Sequence, residues 1–109
     1  MIVFILVAGA FTGPHVWRGT AARLTAEGAE VRTVALTGLG RLPAHGGGAV
    51  DLETHIADVL AVIDSVTDAA AEPGGEIVLV GHDYGIHPVL GAADRRARSI
   101  ARIVYLDSG

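Results

Sequence analysis

Cysteine is absent from the 109-residue chain, so neither a disulfide framework nor a thiolate metal site is available to it. Charge is sparse as well. Asp, Glu, Lys and Arg make up 18% of the residues and leave a formal net charge of −4 with a pI near 5.6, which argues against a general nucleic-acid binder. The one basic cluster, Arg95-Arg96-Arg98, is too short to reverse that balance and reads as solvated helix surface. No apolar run approaches the roughly 20 residues that span a bilayer. The apolar start, Met1 to Val7, lacks a basic leader and runs at once into Gly9, Gly13 and Pro14, so it is expected to be a buried strand and not an export signal. Internal repeats are missing, and no G-x-G-x-x-G follows the first strand, which removes the dinucleotide fingerprint. The expectation is a cytoplasmic chain that calls for no cofactor and no metal and has neither nucleic acid nor membrane as a partner.

What is present is apolar. Half of the residues are hydrophobic and the mean hydropathy is +0.47, high for a chain of this length, so part of the surface is expected to meet another protein. The length fits a single α/β domain over residues 1–109. Buried strands are expected at Ile2 to Val7, Val31 to Leu36, Ile77 to Val80 and Ile100 to Leu106. Between them, apolar spacing predicts helices from about His15 to Glu27, closed by Gly28, and from Asp51, a capping residue, to just before Pro73. A third runs from about Ile86 to Ala93, with Pro88 tolerated in its first turn. The stretch from Thr37 to Val50, with Gly46-Gly47-Gly48, is long for such a connection and reads as a ligand-site loop or a disordered one. Strands joined through helices give a parallel sheet covered on both faces, a three-layer sandwich. Ligands of such sheets gather at the carboxyl ends of the strands, where Gly9-Ala10-Phe11, the Thr37 loop, Asp83 and Asp107 all emerge.

The most informative stretch is Ile77-Val78-Leu79-Val80-Gly81-His82-Asp83-Tyr84-Gly85, an apolar strand emptying through G-H-D-Y-G into a helix. That is the layout of a nucleophile elbow. Glycines at 81 and 85 leave room for a sharp turn that lifts the central side chain clear of the sheet while the following amides point at what it attacks. The central residue is Asp83, which excludes a standard serine esterase, yet a carboxylate can itself form a covalent ester intermediate. A carboxylate at a helix N-terminus is also favoured by the helix dipole whether or not it reacts, so Asp83 reads equally as a nucleophile or as a stabilising relic.

Taken in order, V-A-G-A-F, H-V-W, L-T-G-L-G-R, V-D-L-E-T-H-I-A-D-V, V-L-V-G-H-D-Y-G and I-A-R-I-V-Y-L-D resemble the α/β-hydrolase superfamily, in particular its small esterase, salicylate-esterase and hydroxynitrile-lyase-like branch. The resemblance covers the whole chain but only the front half of a typical member. It implies a four-stranded parallel sheet in the order 2-1-3-4. It further implies that Asp83 holds the nucleophile position, that the Tyr84 N–H is one oxyanion donor, and that the second comes from Gly9-Ala10-Phe11, with Ala10 the expected donor. Relatives usually carry histidine where this chain has Ala8. An aspartate elbow is similar to those of haloalkane dehalogenases and epoxide hydrolases, and Asp107 stands where some dehalogenases keep the acid that orients their histidine. The plainer reading of Asp107, a strand-end cap, is preferred.

The resemblance also implies a histidine base after a last strand that lies beyond this chain. Of the five histidines, His82 is expected to be structural or to lie on the oxyanion side, and His87 is the better internal base candidate on reach. His15 is expected beside Trp17, His55 on a helix face, and His45 on the glycine loop, too loosely held for a base. An interior strand of the full fold would here expose an edge at Ile100 to Leu106. A homodimer pairing that edge about a twofold axis, or a separate chain carrying the C-terminal half with its histidine, would cover it. Three functions follow: hydrolase-type chemistry on a small apolar ester, epoxide or halide; a non-catalytic small-ligand module; or a structural half-domain that forms a homo-oligomer.

Overall fold

The computed structural model describes residues 2–7, 17–34, 36, 52–70 and 76–106, apart from the side chains of residues 67–70 and of Asp83. Four strands form one sheet: β1 (Ile2–Val7), β2 (Glu30–Val34), β3 (Glu76–His82) and β4 (Ile100–Leu106). Their order is β2-β1-β3-β4 and every neighbouring pair is parallel. The helices α1 (Arg18–Ala26), α2 (Leu52–Ala70) and α3 (Ile86–Arg95) cover the two faces, completing the three-layer α/β sandwich.

Alternation along the strands assigns their side chains to the layers. Val3, Ile5 and Val7 of β1, with Ile77 and Leu79 of β3, join the main core formed with α2 and α3. Leu6, Val78 and Val80 point the other way and cluster with Trp17, just ahead of α1. The α2 stripe Ile56, Val59, Ile63 and Val66 repeats at three and four residues, which keeps it on one helical face against the sheet. The same logic places Ile86, Val89 and Ala92 of α3 inward.

Two glycines matter for the helices themselves. Gly28 has φ 94°, and the bonds Gly28 N–H to Thr25 O (3.0 Å) and Ala29 N–H to Leu24 O (3.1 Å) form the paired closure of a Schellman motif, which ends α1. Gly91 lets α3 approach α2. A Cβ there would lie 2.8 Å from Ile56 Cγ1 and closer still to its Cδ1.

Sequence expectation and structure differ mainly at element ends. The strand β3 continues past Gly81 to His82, because Gly81 and His82 still pair with Tyr105 and Leu106 of β4. The third helix runs to Arg95 instead of Ala93, and α1 begins at Arg18. The second strand is shifted to Glu30–Val34, although Leu36 beyond it is buried in the main core. The N-cap expected of Asp51 lies outside the described residues. The strand β4 ends the sheet, with Tyr105 and Leu106 exposed.

Candidate active site

The carboxyl end of β3 leads without a spacer into a 3₁₀ turn, Asp83–Gly85, and then into α3. This reversal needs a bare backbone at position 81. A Cβ on Gly81 would lie 2.8 Å from Ile86 Cα and 3.1 Å from Ile86 N, so any side chain would push the helix off the strand. Gly85, in the right-handed region at φ −55° and ψ −20°, caps α3 without a side-chain hydrogen bond. Asp83 therefore opens the turn at the rim where parallel strands present their ligand sites.

The residues flanking Asp83 send their side chains to opposite layers. His82 continues the alternation of Val78 and Val80 and meets Trp17 edge-on, with ring centroids 6.0 Å apart at 83°. Trp17 Nε1 and His82 Nδ1 are both shut away from solvent, and neither has a hydrogen-bond partner among the described residues. Tyr84 turns towards the helices. Its hydroxyl lies 2.8 Å from Nδ1 of His55 on α2, and the two rings meet edge-on with centroids 5.4 Å apart. His87, exposed on the first turn of α3, meets Tyr84 at a tilt with ring centroids 5.6 Å apart. Tyr84 thus contacts two imidazoles.

The structure sets His82 and Tyr84 on either side of Asp83 in the chain and His87 against the Tyr84 ring. It also adds His55, which was expected on a helix face. In fact this residue is only 5% exposed. One signal was available in the sequence: His55 precedes Val59 by four residues and adjoins Ile56, so it rides on the edge of the α2 apolar stripe. Its partner, 29 residues away, had no local signal. Gly9, Ala10, Phe11, His15, His45 and Asp107 lie outside the described residues. Among those described, no group of three or more His, Asp or Glu side chains is gathered in a way that could hold a metal ion, and no helix is long and apolar enough to cross a membrane.

Electrostatics act behind the elbow. Arg95 Nη2 donates to Glu53 Oε1 at 2.7 Å, and Arg96 reaches both carboxylate oxygens of Asp64 at 3.0 and 3.2 Å, tying α3 to α2. The hydrogen bond from Arg96, and then its charge, lowers the Asp64 pKa, while the bond to Glu53 raises that of Arg95 and the bond to Asp64 that of Arg96. The basic cluster is solvated, as its sequence suggested, but two of its members also grip the neighbouring helix.

The chain is similar to several known proteins. A carbendazim hydrolyzing esterase from Nocardioides sp. (strain SG-4G) is 44% identical over 108 residues, covering 99% of this chain and 42% of that protein. A methylesterase from Arabidopsis superposes with a TM-score of 0.79 at 25% identity, over 96% of this chain and 42% of its own. Polyneuridine aldehyde esterase gives 0.80 at 23% identity, over 96% and 39%. The chain thus spans about two fifths of the length of these relatives. The model of the alpha/beta hydrolase family matches residues 4–109, and with the parallel sheet and its strand-to-helix reversal this establishes that the chain belongs to that family.

Proposed function

We propose that the chain carries the reactive half of a hydrolase acting on a small apolar ester, epoxide or alkyl halide, with Asp83 as its reacting group. The observation that carries this reading is the uninterrupted passage from β3 through Asp83–Gly85 into α3 at the carboxyl rim of the sheet. Such a reversal leaves no room for a side chain at Gly81, a constraint in keeping with a residue held out for chemistry. The esterase relative supports the ester class.

On a halide, the Asp83 carboxylate attacks carbon from behind, a C–O bond forms, and the halide leaves with the bonding pair. On an epoxide the same attack opens the ring and the alkoxide takes a proton from water. On an ester, Asp83 takes a proton from a water that attacks the acyl carbon and returns it to the departing alkoxide. In this last case the Tyr84 and Ala10 amides hold the tetrahedral oxyanion. Release of an alkyl ester from Asp83 requires a base that activates water. We infer that a histidine supplied by further polypeptide covering β4 fills that role, in keeping with the exposure of Tyr105 and Leu106 and the two-fifths coverage of relatives. His87 is the candidate within the chain.

The test is intact-protein mass spectrometry before and after incubation with a panel of epoxides, alkyl halides and activated esters. The expected result with epoxides or halides is a stable adduct that maps to Asp83 and is lost in Asp83→Asn. With activated esters, the expected result is hydrolysis above the buffer rate that is also lost in that variant. Failure of both across the panel would overturn the reading and favour a non-catalytic ligand-binding role.

A further inference from the structure

We propose that His55 is a positioning residue for the elbow, acting through the side chain of Tyr84 on the peptide that joins Asp83 to Tyr84. The inference deepens the hydrolase reading, on which its kinetic consequence rests, but its structural content stands apart from it. His55 is 5% exposed and sits on α2, a helix anchored to the sheet by Ile56, Val59, Ile63 and Val66. From that fixed platform its Nδ1 meets the Tyr84 hydroxyl at 2.8 Å, with the imidazole and phenol rings edge-on at 82°. The bond serves in either imidazole tautomer, since the phenol can donate to a bare Nδ1 or accept from a protonated one. The His87 ring also lies against Tyr84, with centroids 5.6 Å apart.

The geometry acts at a distance because a tyrosine has only two side-chain torsions. With the far oxygen and the ring plane held, only these two torsions, each with a few preferred wells, separate the ring from the backbone, so the ring restrains where the Cα sits and how its own N–H is turned. That N–H belongs to the residue directly after Asp83, in a 3₁₀ turn only three residues long. A bond made 29 residues away in sequence thereby restrains the amide of the peptide that follows Asp83. Gly85, which follows, has no side chain to share the task. On this account the aromatic residue of G-H-D-Y-G is present for its hydroxyl, and the histidine of L-E-T-H-I-A-D-V is its receptor.

The test uses the full chain and four variants: His55→Phe, which keeps a ring in the buried site; Tyr84→Phe, which removes only the hydroxyl; the two together; and His55→Gln, which can restore a hydrogen bond. Two readouts separate this inference from the hydrolase reading. The first needs no chemistry. In NMR spectra, the Tyr84 and Gly85 amides are expected to shift and broaden in His55→Phe and in Tyr84→Phe, while those of Ile5 and Val66 keep their wild-type positions. The second is the rate of Asp83 labelling or ester turnover. Its saturating value is expected to fall about tenfold to a hundredfold, the loss associated with a misplaced reacting group. The half-saturating concentration should stay within about threefold, the double variant should lose no more than either single one, and His55→Gln should recover most of the rate. If wild type shows no reaction at Asp83, the hydrolase reading fails and the amide spectra alone decide. Unmoved Tyr84 and Gly85 amides in both Phe variants would overturn the proposal. So would a rate loss in the double variant equal to the product of the single losses.

Discussion

On the face shared by α2 and α3, strand residues from β1 and β3 meet helix residues that are themselves fully buried, among them Val59, Ile63, Val66 and Val89. On the opposite face α1 contributes no buried residue, and Trp17 with Leu6, Val78 and Val80 makes up a much smaller cluster. The first face is closed further by the Arg95–Glu53 and Arg96–Asp64 pairs, whereas the second holds two buried ring nitrogens without a hydrogen-bond partner among the described residues. Among the described residues the sheet thus carries a larger buried cluster on one face and a smaller one on the other, with the elbow at their common rim. The face with the larger cluster is the one that grips Tyr84, so precision at the elbow is drawn from that side.

A matched pair of leucines gives the largest effect and can break this comparison. Leu79 faces α2 and α3, Leu6 faces the α1 side, and both are essentially inaccessible. Leu79→Ala is expected to cost about 4–5 kcal/mol and Leu6→Ala about 2–3 kcal/mol, because a smaller cluster can collapse into the space left behind. Urea unfolding of both variants checks this, and equal losses would mean that the two layers are equally rigid. Glycines sharpen the contrast by sign. Gly91→Ala is expected to destabilise by about 1–3 kcal/mol, since its Cβ would overlap the buried Ile56 side chain. Gly19→Ala on α1 meets nothing within 4 Å and should stabilise by about 0.5 kcal/mol. Thermal melts of both resolve the sign.

The smallest effect is electrostatic. Because the folded pKa of Asp64 is depressed by Arg96, its contribution is present above the unfolded carboxyl's titration near about pH 4 and is lost as pH falls through the lowered folded value. Asp64→Asn is therefore expected to lower the melting temperature slightly at neutral pH and low salt. The difference should vanish on acidification and in concentrated salt. A difference that persists in both conditions would assign the role to packing instead of charge.

Element type was legible in the sequence pattern and sheet order through the resemblance to α/β hydrolases, element ends less so. Ile100 to Leu106 reads as a strand because apolar and β-branched residues follow Ser99 with only Arg102 among them, and β4 has those bounds. Gly81 misleads because a glycine ordinarily punctuates a strand. Here it is kept for the approach of Ile86 while its backbone still pairs with Tyr105. At the candidate site the G-H-D-Y-G spacing located the turn, since local backbone demands leave local marks. The His55–Tyr84 bond left none, because it depends on how two helices meet and not on either one alone. Arg95 and Arg96 were legible as surface, but their acidic partners on α2 lie 42 and 32 residues away.

The chain holds one tryptophan, and the fold has put it edge-on against the histidine that precedes Asp83. Its emission is therefore an optical probe already installed at the elbow. A chromophore that is 5% exposed, in contact with an imidazole, will report solvent entry, ring movement or charge on His82 as a change in colour or quenching, without a label.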